Sequence, residues 1–202
     1  MFILALDTSS ATLSVAVLDE EKVLAYREQI MDRGQGEALV PIIRDVLSDA
    51  RVDISDINGV AVAVGPGSFT GVRVGLSTAR GIGLALNVPV YGVTNFESFA
   101  YGVLKPIIVV LDTKRGDYFT QKFDDNGHPM EHPVIKSADE LKHALPFTAI
   151  GDCAEKLSAE IGCDMIQKIS PSAVSIGKIA LARKEHPLPP EPLYLRDADV
   201  TV

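Results

Sequence analysis

The sequence of 202 residues has few cysteines, no long apolar run and no histidine before His128. Its two cysteines, Cys153 and Cys163, have no cluster of metal-ligand residues around them, so we expect reduced, partly buried thiols rather than a disulfide. No segment approaches the ~20 consecutive apolar residues that a membrane-spanning helix needs. The apolar start of the chain meets Asp7 too soon for a signal peptide. These absences predict a cytoplasmic protein with no membrane contact.

The sequence also lacks a cluster of basic residues. Its formal net charge is −8 and its pI is about 5.0, and the lysines and arginines are scattered along the chain. Unaided binding to nucleic acid depends on clustered positive charge that neutralises phosphates. If an RNA is involved, we therefore expect another subunit to hold it. With 47% hydrophobic residues, the chain can bury one sizeable core or two small lobes.

The histidines offer no convincing metal site. His128 and His132 are four residues apart, but Pro129 and Pro133 oppose a helix there, and the Asp-Asn-Gly sequence just upstream is typical of a turn. Both histidines are predicted to be surface loop residues. We predict no metal site, no catalytic residue and no cofactor.

The most informative segment that is present runs from residue 65 to residue 86. It joins a glycine-rich turn to a predicted helix, although each glycine inside a helix costs about 1 kcal/mol relative to alanine. Small residues recur at every fourth position and form a smooth groove on one helical face, flanked by larger apolar residues: Gly71, Gly75, Ala79 and Gly83, with Val72, Leu76 and Leu86 beside them. Glycine is needed where another backbone approaches closely. The groove therefore faces either this chain's own sheet or another protein.

The turn before this helix follows a buried strand predicted at residues 59–64. Such a turn can bind an anion, but no lysine follows Gly71, so a phosphate-binding P-loop is disfavoured. We predict that Ser68 is the N-cap of the helix. A nucleophilic Ser68 is a weaker alternative, because the Gly-x-Ser-x-Gly pattern is missing and no histidine precedes His128.

The chain contains an internal repeat. An apolar strand ends in Asp7-Thr8 and a second one ends in Asp112-Thr113, and each is followed by a polar turn and another strand. Further strands and helices follow in the same order, including short helices that begin with the capping boxes Thr94-x-x-Glu97 and Ser137-x-x-Glu140. Two copies of this pattern predict an α/β protein with two lobes, residues 1–103 and residues 104–202, the last helix lying at 171–184.

Four segments together resemble the bacterial TsaB (YeaZ) family. They are Asp7-Thr-Ser-Ser10, Gly65-Pro-Gly-Ser-Phe-Thr-Gly-Val-Arg73, Leu111-Asp-Thr-Lys-Arg-Gly116 and the tail Pro192-Leu-Tyr-Leu-Arg196. The resemblance covers nearly the whole chain, and its glycine-rich segment is highly specific. It implies duplicated RNase H-like lobes of the actin, Hsp70 and sugar-kinase (ASKHA) fold. It also implies a role in making threonylcarbamoyladenosine beside the tRNA anticodon.

The resemblance further implies a partner subunit rather than an enzyme. The catalytic paralogue, TsaD, holds a metal through a His-x-x-x-His pair on a helix of its first lobe. The matching stretch here, residues 32–41, has no histidine, and Glu37 is expected to be an ordinary first-turn helix residue. The implied partners are TsaD, the ATPase TsaE, a second copy of this chain when TsaD is absent, and tRNA only through the complex.

Nucleotide binding is a separate question. Kinase-like members of the fold wrap phosphates with an Asp-x-Gly-Thr/Ser turn, whereas the turn here has Asp7, Thr8 and Ser9 without a glycine. These three residues form either a vestigial nucleotide site or a turn fixed by side-chain to backbone hydrogen bonds. A small ATP-dependent phosphotransferase of the same fold is the alternative function.

The predicted partner interface consists of two helices lying side by side. One spans residues 37–50 and has apolar residues on more than one face, and the other is the glycine-rich helix. A matching pair of helices from a paralogue or from a second copy would dock there as a four-helix contact. The predicted interface residues are Leu39, Ile42, Ile43, Gly71, Val72, Gly75, Leu76, Ala79 and Gly83. The alternative is that the groove packs on this chain's own sheet.

Overall fold

The computed structural model describes residues 1–31, 33–168 and 171–195. The chain divides into two compact units. The first comprises Met1–Tyr101 together with the described residues 171–192, and the second comprises the described residues 102–168 and 193–195. Arg196, the last residue of the tail motif, lies outside the described residues.

The elements of the first unit are β1 (Phe2–Asp7), β2 (Thr12–Leu18), β3 (Val23–Ile30), α1 (Gln35–Ala50), a 3₁₀ turn (Ile54–Asp56), β4 (Ile57–Ala63), α2 (Phe69–Leu86), β5 (Val90–Val93) and α3 (Asn95–Ala100). The second unit has β6 (Ile107–Asp112), β7 (Tyr118–Phe123), β8 (Val134–Lys136), α4 (Ala138–His143), β9 (Thr148–Ile150), α5 (Ala154–Ile161) and β10 (Asp164–Ile166). A last helix, α6 (Ala173–Ala182), returns to the first unit.

The two sheets have the same topology. The first has the order β3-β2-β1-β4-β5, and the second has the equivalent order β8-β7-β6-β9-β10. In both, the first three strands are antiparallel and the last two run parallel to the central strand. The predicted duplication and the α/β fold class are confirmed. The short strands β5 and β10, which the sequence analysis did not predict, complete the two sheets.

Both faces of the first sheet are buried, which explains why its central strands are almost continuously apolar. One face packs against α6 through a cluster of small and branched side chains: Ile3, Ala5, Ala16, Leu18, Ala61, Ala63, Ala173, Ile176 and Ala180. Alternate residues of the same strands point to the opposite face, which α1 and α2 cover. A Cβ atom on Gly177 of α6 would lie 2.4 Å from Leu18 Cδ1, so the helix needs glycine at this contact.

The position of α6 corrects the predicted lobe boundary. Assigning all of residues 104–202 to the second lobe is wrong for this helix, because it packs on β1, β2 and β4. Its first turn is bonded to the first unit by buried serines: the amide of Ala173 donates to Ser14 Oγ at 3.0 Å, and the amide of Ser172 donates to Ser98 Oγ at 3.1 Å. The helix is also shorter than predicted.

Local sequence signals match the structure closely in most other places. The helix α2 has the predicted bounds, and Ser68 caps it by accepting a hydrogen bond from the amide of Gly71. Both capping boxes are present, at Thr94 and at Ser137. Helix α1 begins at Gln35, two residues before the predicted start, and has Glu37 in its first turn.

The second unit has its own core beneath β6 and β7. Val110, Tyr118, Leu141 and Leu157 are buried there together with both cysteines. The thiols are free, as predicted, and burial raises the pKa of the Cys153 thiol. In the part of the chain that the structure describes, no helix is both long and apolar enough to cross a membrane.

Candidate functional site

The glycine groove of α2 packs against this chain's own sheet. A Cβ atom on Gly71 would lie 2.0 Å from the carbonyl oxygen of Thr8, and one on Gly75 would lie 2.7 Å from Thr8 Oγ1. Further along the helix, a Cβ atom on Gly83 would lie 2.4 Å from Val90 Cγ2 of β5. The groove therefore accommodates the first hairpin turn and the edge of the sheet.

This packing corrects the predicted partner interface. The groove residues Gly71, Gly75, Ala79 and Gly83 are buried, and so are Val72, Leu76, Leu39 and Ile43 beside them or on α1. These eight assignments are wrong, because the residues are already covered within the first unit. Of the predicted interface residues only Ile42 is partly exposed. The alternative, a groove that packs on its own sheet, is confirmed.

The outward sides of α1 and α2 remain exposed. The two helices contact each other, and Val74 of α2 lies 3.9 Å from the position of a Cβ atom on Gly36 of α1. Large apolar side chains project from both helices: Val40 is 63% exposed and Leu84 is 85% exposed. At the start of α2, the guanidinium of Arg73 lies 3.4 Å from the centre of the exposed Phe69 ring. The predicted side-by-side arrangement is present, with a different set of outward residues.

The hairpin turn between β1 and β2 forms a buried polar cluster with the loop that precedes α2. Asp7, Thr8 and Ser9 are all essentially inaccessible to solvent. Asp7 Oδ1 accepts hydrogen bonds from the amide and the hydroxyl of Ser9, at 2.8 and 2.5 Å. Thr8 Oγ1 donates to the carbonyl of Gly71 at 2.6 Å, and the carbonyl of Ser9 accepts from the amide of Ser68 at 2.7 Å.

Asn95 completes this cluster from the start of α3. Its Nδ2 donates to Ser9 Oγ at 2.8 Å and to the carbonyl of Pro66 at 2.7 Å, and its amide donates to the carbonyl of Gly65. Within the described ranges, Asp7 Oδ2 and Asn95 Oδ1 are buried without a hydrogen-bond partner. Burial raises the pKa of Asp7 to about 6. Sequence reasoning missed Asn95, which its place after the Thr94 cap did not distinguish from other helix residues.

The geometry shows what Asp7 and Thr8 do in the fold. Their side chains hold the turn and join it to α2, as in the second of the two alternatives that the sequence left open. The Ser9 amide, which a phosphate-wrapping turn would offer to a ligand, is instead bonded to Asp7. Nucleotide binding at Asp7, Thr8 and Ser9 stays a prediction.

The equivalent turn of the second unit is more open. Asp112 Oδ1 accepts from the amide of Lys114 at 2.7 Å, while Asp112 Oδ2 lies 3.0 Å from Lys114 Nζ. Lys114 adopts a left-handed backbone conformation with φ of 63°. The repeated aspartates thus have different surroundings, one buried and lacking a partner for one oxygen, the other partly exposed and paired with a lysine.

Ser68 and the histidines occupy structural positions. Ser68 is the N-cap of α2, and His128 and His132 are exposed, as predicted. His128 lies in a turn, where its amide donates to Asp124 Oδ1 at 2.8 Å. Among residues 1–31, 33–168 and 171–195, no three histidine, cysteine or acidic side chains are grouped so that they could hold a metal ion.

Comparison with known proteins identifies the family. A family model described as "TsaD: tRNA N6-adenosine threonylcarbamoyltransferase" matches residues 29–186. A relative from Escherichia coli, called tRNA threonylcarbamoyladenosine biosynthesis protein TsaB, is 32% identical over 167 residues, which cover 79% of this chain and 69% of the relative. The chain belongs to the TsaB (YeaZ) family. An uncharacterized protein of Mycobacterium tuberculosis is 29% identical over 199 residues, which cover 98% of this chain and 92% of that protein.

Solved structures show the fold that this family member shares. YeaZ from Pseudomonas aeruginosa superposes with a TM-score of 0.79 at 24% identity, covering 96% of this chain and 99% of that chain. An activator of 2-hydroxyisocaproyl-CoA dehydratase from Clostridium difficile superposes with a TM-score of 0.56 at 12% identity, covering 92% of this chain and 96% of that chain. These similarities place the duplicated sheets in the ASKHA fold.

Proposed function

We propose that this chain acts in tRNA threonylcarbamoyladenosine biosynthesis as a non-catalytic subunit that binds and supports a TsaD-type paralogue. One observation carries the proposal: the chain matches a transferase family model over residues 29–186, yet it has no histidine before His128. It therefore lacks the imidazole pair in its first lobe that the catalytic paralogue uses to hold a metal. The TsaB name of the relatives supports the pathway.

The outward sides of α1 and α2 are the surface that we assign to the paralogue. Val40 and Leu84 expose apolar area there, although surface residues of this size are more often shielded when they have no partner. Phe69 with Arg73 adds an aromatic and a guanidinium group, the two kinds of side chain that are enriched among residues dominating interface energies. Related lobes offer related faces, so the same surface would pair two copies when the paralogue is absent.

Two further partners belong to the proposal. TsaE, the ATPase of the system, would join the assembly, and tRNA would be bound through the complex rather than by this chain. The net charge of −8 supports the second point, because it opposes contact with a polyanion.

Reconstitution of tRNA threonylcarbamoylation from purified components tests the function. We expect modification of tRNA with this chain present and little without it. The isolated chain should show no transferase, peptidase or ATPase turnover and should not shift tRNA in a gel at physiological salt. Modification that proceeds equally well without the chain would refute the proposal. Turnover by the isolated chain that is lost in Asp7→Ala would favour the phosphotransferase alternative.

A further inference from the structure

A proline-rich segment after α6 lies along the free edge of the first sheet. This strap, Pro187-Leu-Pro-Pro-Glu-Pro192, contains four prolines in six residues. Leu188 forms an isolated antiparallel bridge with Gly92 of β5, in which the Gly92 amide donates to the Leu188 carbonyl at 2.9 Å. The strap thereby pairs a backbone group of an edge strand that would otherwise face solvent.

The strap fits its site through backbone shape. A Cβ atom on Gly92 would lie 2.4 Å from the carbonyl oxygen of Pro189, so a residue with a side chain at position 92 would push the strap away. The guanidinium of Arg80, on the exposed side of α2, donates to the carbonyl of Pro190. The site therefore recognises two carbonyls of an extended chain and requires a flat surface between them.

A second set of contacts holds this site in shape independently of the strap. Arg183 Nη2 donates to the carbonyl of Gly92 at 2.8 Å, and the same guanidinium pairs with Glu97. Glu97 in turn completes the capping box of α3 by accepting from the amide and the hydroxyl of Thr94, each at 2.8 Å. The edge at Gly92 is thus fixed by α3 and α6, so the site is preorganised for an extended peptide.

The hold on the strap itself is weak. Pro187, Leu188 and Pro189 are all exposed, and the contacts that bind them are one strand hydrogen bond and one arginine–carbonyl bond. Few buried contacts mean a small free-energy cost of local opening. Proline restricts the free segment, so that seating it costs little conformational entropy and a detached peptide of the same composition would keep that advantage.

We propose that the β5 edge, with Gly92 and Arg80 as its recognition elements, is a binding site for an extended Pro-x-Pro-Pro peptide of a partner protein, and that the strap is its built-in competitor. Peptide addition at a sheet edge uses the main-chain bonds seen here between Gly92 and Leu188. A tethered occupant competes at an effective concentration in the millimolar range. A partner peptide therefore binds well only when the strap is released.

A full-length chain with a weakened strap tests the proposal. In the variant Pro187→Gly, Pro189→Gly, Pro190→Gly, greater flexibility makes seating of the strap costly. The probe is a fluorescent heptapeptide with the sequence of residues 186–192, followed by fluorescence polarization. We expect saturable binding to this variant that is at least tenfold tighter than binding to the wild-type chain. A probe with the three prolines replaced by glycine should bind at least fivefold more weakly.

Second substitutions in the same background localise the site. Gly92→Ala should reduce probe binding at least tenfold, whereas Gly81→Ala should leave it unchanged, because a Cβ atom on Gly81 meets nothing within 4 Å. If Gly92→Ala does not fold, Arg80→Ala replaces it and should weaken binding severalfold. Equal binding to the wild-type and strap-weakened chains, no binding to either, or binding insensitive to these substitutions would overturn the proposal. None of these results bears on tRNA modification by the reconstituted system.

Discussion

The hydroxyl of Thr8 donates a hydrogen bond of 2.6 Å to the carbonyl oxygen of Gly71, and the carbonyl of Thr8 occupies the space that a side chain on Gly71 would need. The hairpin turn and the first turn of α2 are therefore in direct backbone contact. This contact explains why a helix with unfavourable composition forms where it does, because its glycines permit an approach that larger residues would prevent. It also provides the contrast for a stability measurement.

Two alanine substitutions on the same helix should have opposite effects. In Gly71→Ala the new Cβ atom would lie 2.0 Å from a backbone oxygen, so we expect a loss of about 2–4 kcal/mol in the free energy of unfolding. In Gly81→Ala the side chain meets nothing within 4 Å, and higher helix propensity should add about 0.5–1 kcal/mol. Urea denaturation followed by circular dichroism measures both. Equal stabilities would contradict the proposed cause of the glycine spacing.

The buried carboxyl of Asp7 should make stability depend on pH. Its pKa of about 6 in the folded chain exceeds the ordinary value of 3.8, so the folded state retains a proton that the unfolded state has lost between these values. Stability from this group is fully present below pH 4, falls as pH rises towards 6 and stays low above it. Asp7→Asn should flatten this part of the profile and raise stability at pH 7 by on the order of 1–3 kcal/mol.

Asp112→Asn is the matched control for Asp7→Asn, because it changes the equivalent residue of the second hairpin. There, partial burial is outweighed by hydrogen bonds from Lys114, and the pKa of Asp112 lies below its ordinary value. Its substitution should lower stability at pH 7, and the difference should disappear as pH falls below about 4. Unfolding free energies between pH 3 and pH 7 decide the matter. An unchanged slope in Asp7→Asn would show that this carboxyl is ionised in the folded chain.

Charges placed on the outward sides of α1 and α2 should prevent partner binding without unfolding the chain. Val40→Asp and Leu84→Asp alter side chains that are 63% and 85% exposed, so we expect stability within about 0.5 kcal/mol of wild type. Each should weaken binding to the purified TsaD-type paralogue, and self-association, at least tenfold, because a carboxylate would be desolvated at the contact. Calorimetry and light scattering measure the two equilibria.

Leu104→Asp controls for nonspecific effects of a new surface charge. Leu104 is 87% exposed and belongs to the second unit, away from either helix in the chain's own division. This variant should bind the paralogue as wild type does. Wild-type binding by both Val40→Asp and Leu84→Asp would remove this surface from consideration, whereas equal losses in all three variants would indicate a general electrostatic effect.

The sequence by itself determined the elements whose signals are local. The bounds of α2, the caps at Ser68, Thr94 and Ser137, and the repeated hairpins follow from periodicity, capping chemistry and turn residues within a few positions of one another. The absence of histidine before His128 likewise required no structure. These features gave the duplicated α/β architecture and the resemblance to the family.

Only the tertiary structure decided what lies against each surface. The spacing from Gly71 to Gly83 indicates a close approach but carries no information about the approaching group, which proved to be this chain's own turn and sheet. The return of α6 to the first unit depends on contacts such as that between Ala173 and Ser14, which are far apart in sequence. Propensity and periodicity act over a few residues, whereas burial is decided by the whole fold. For that reason the helices could be placed from sequence, but their outward faces could not.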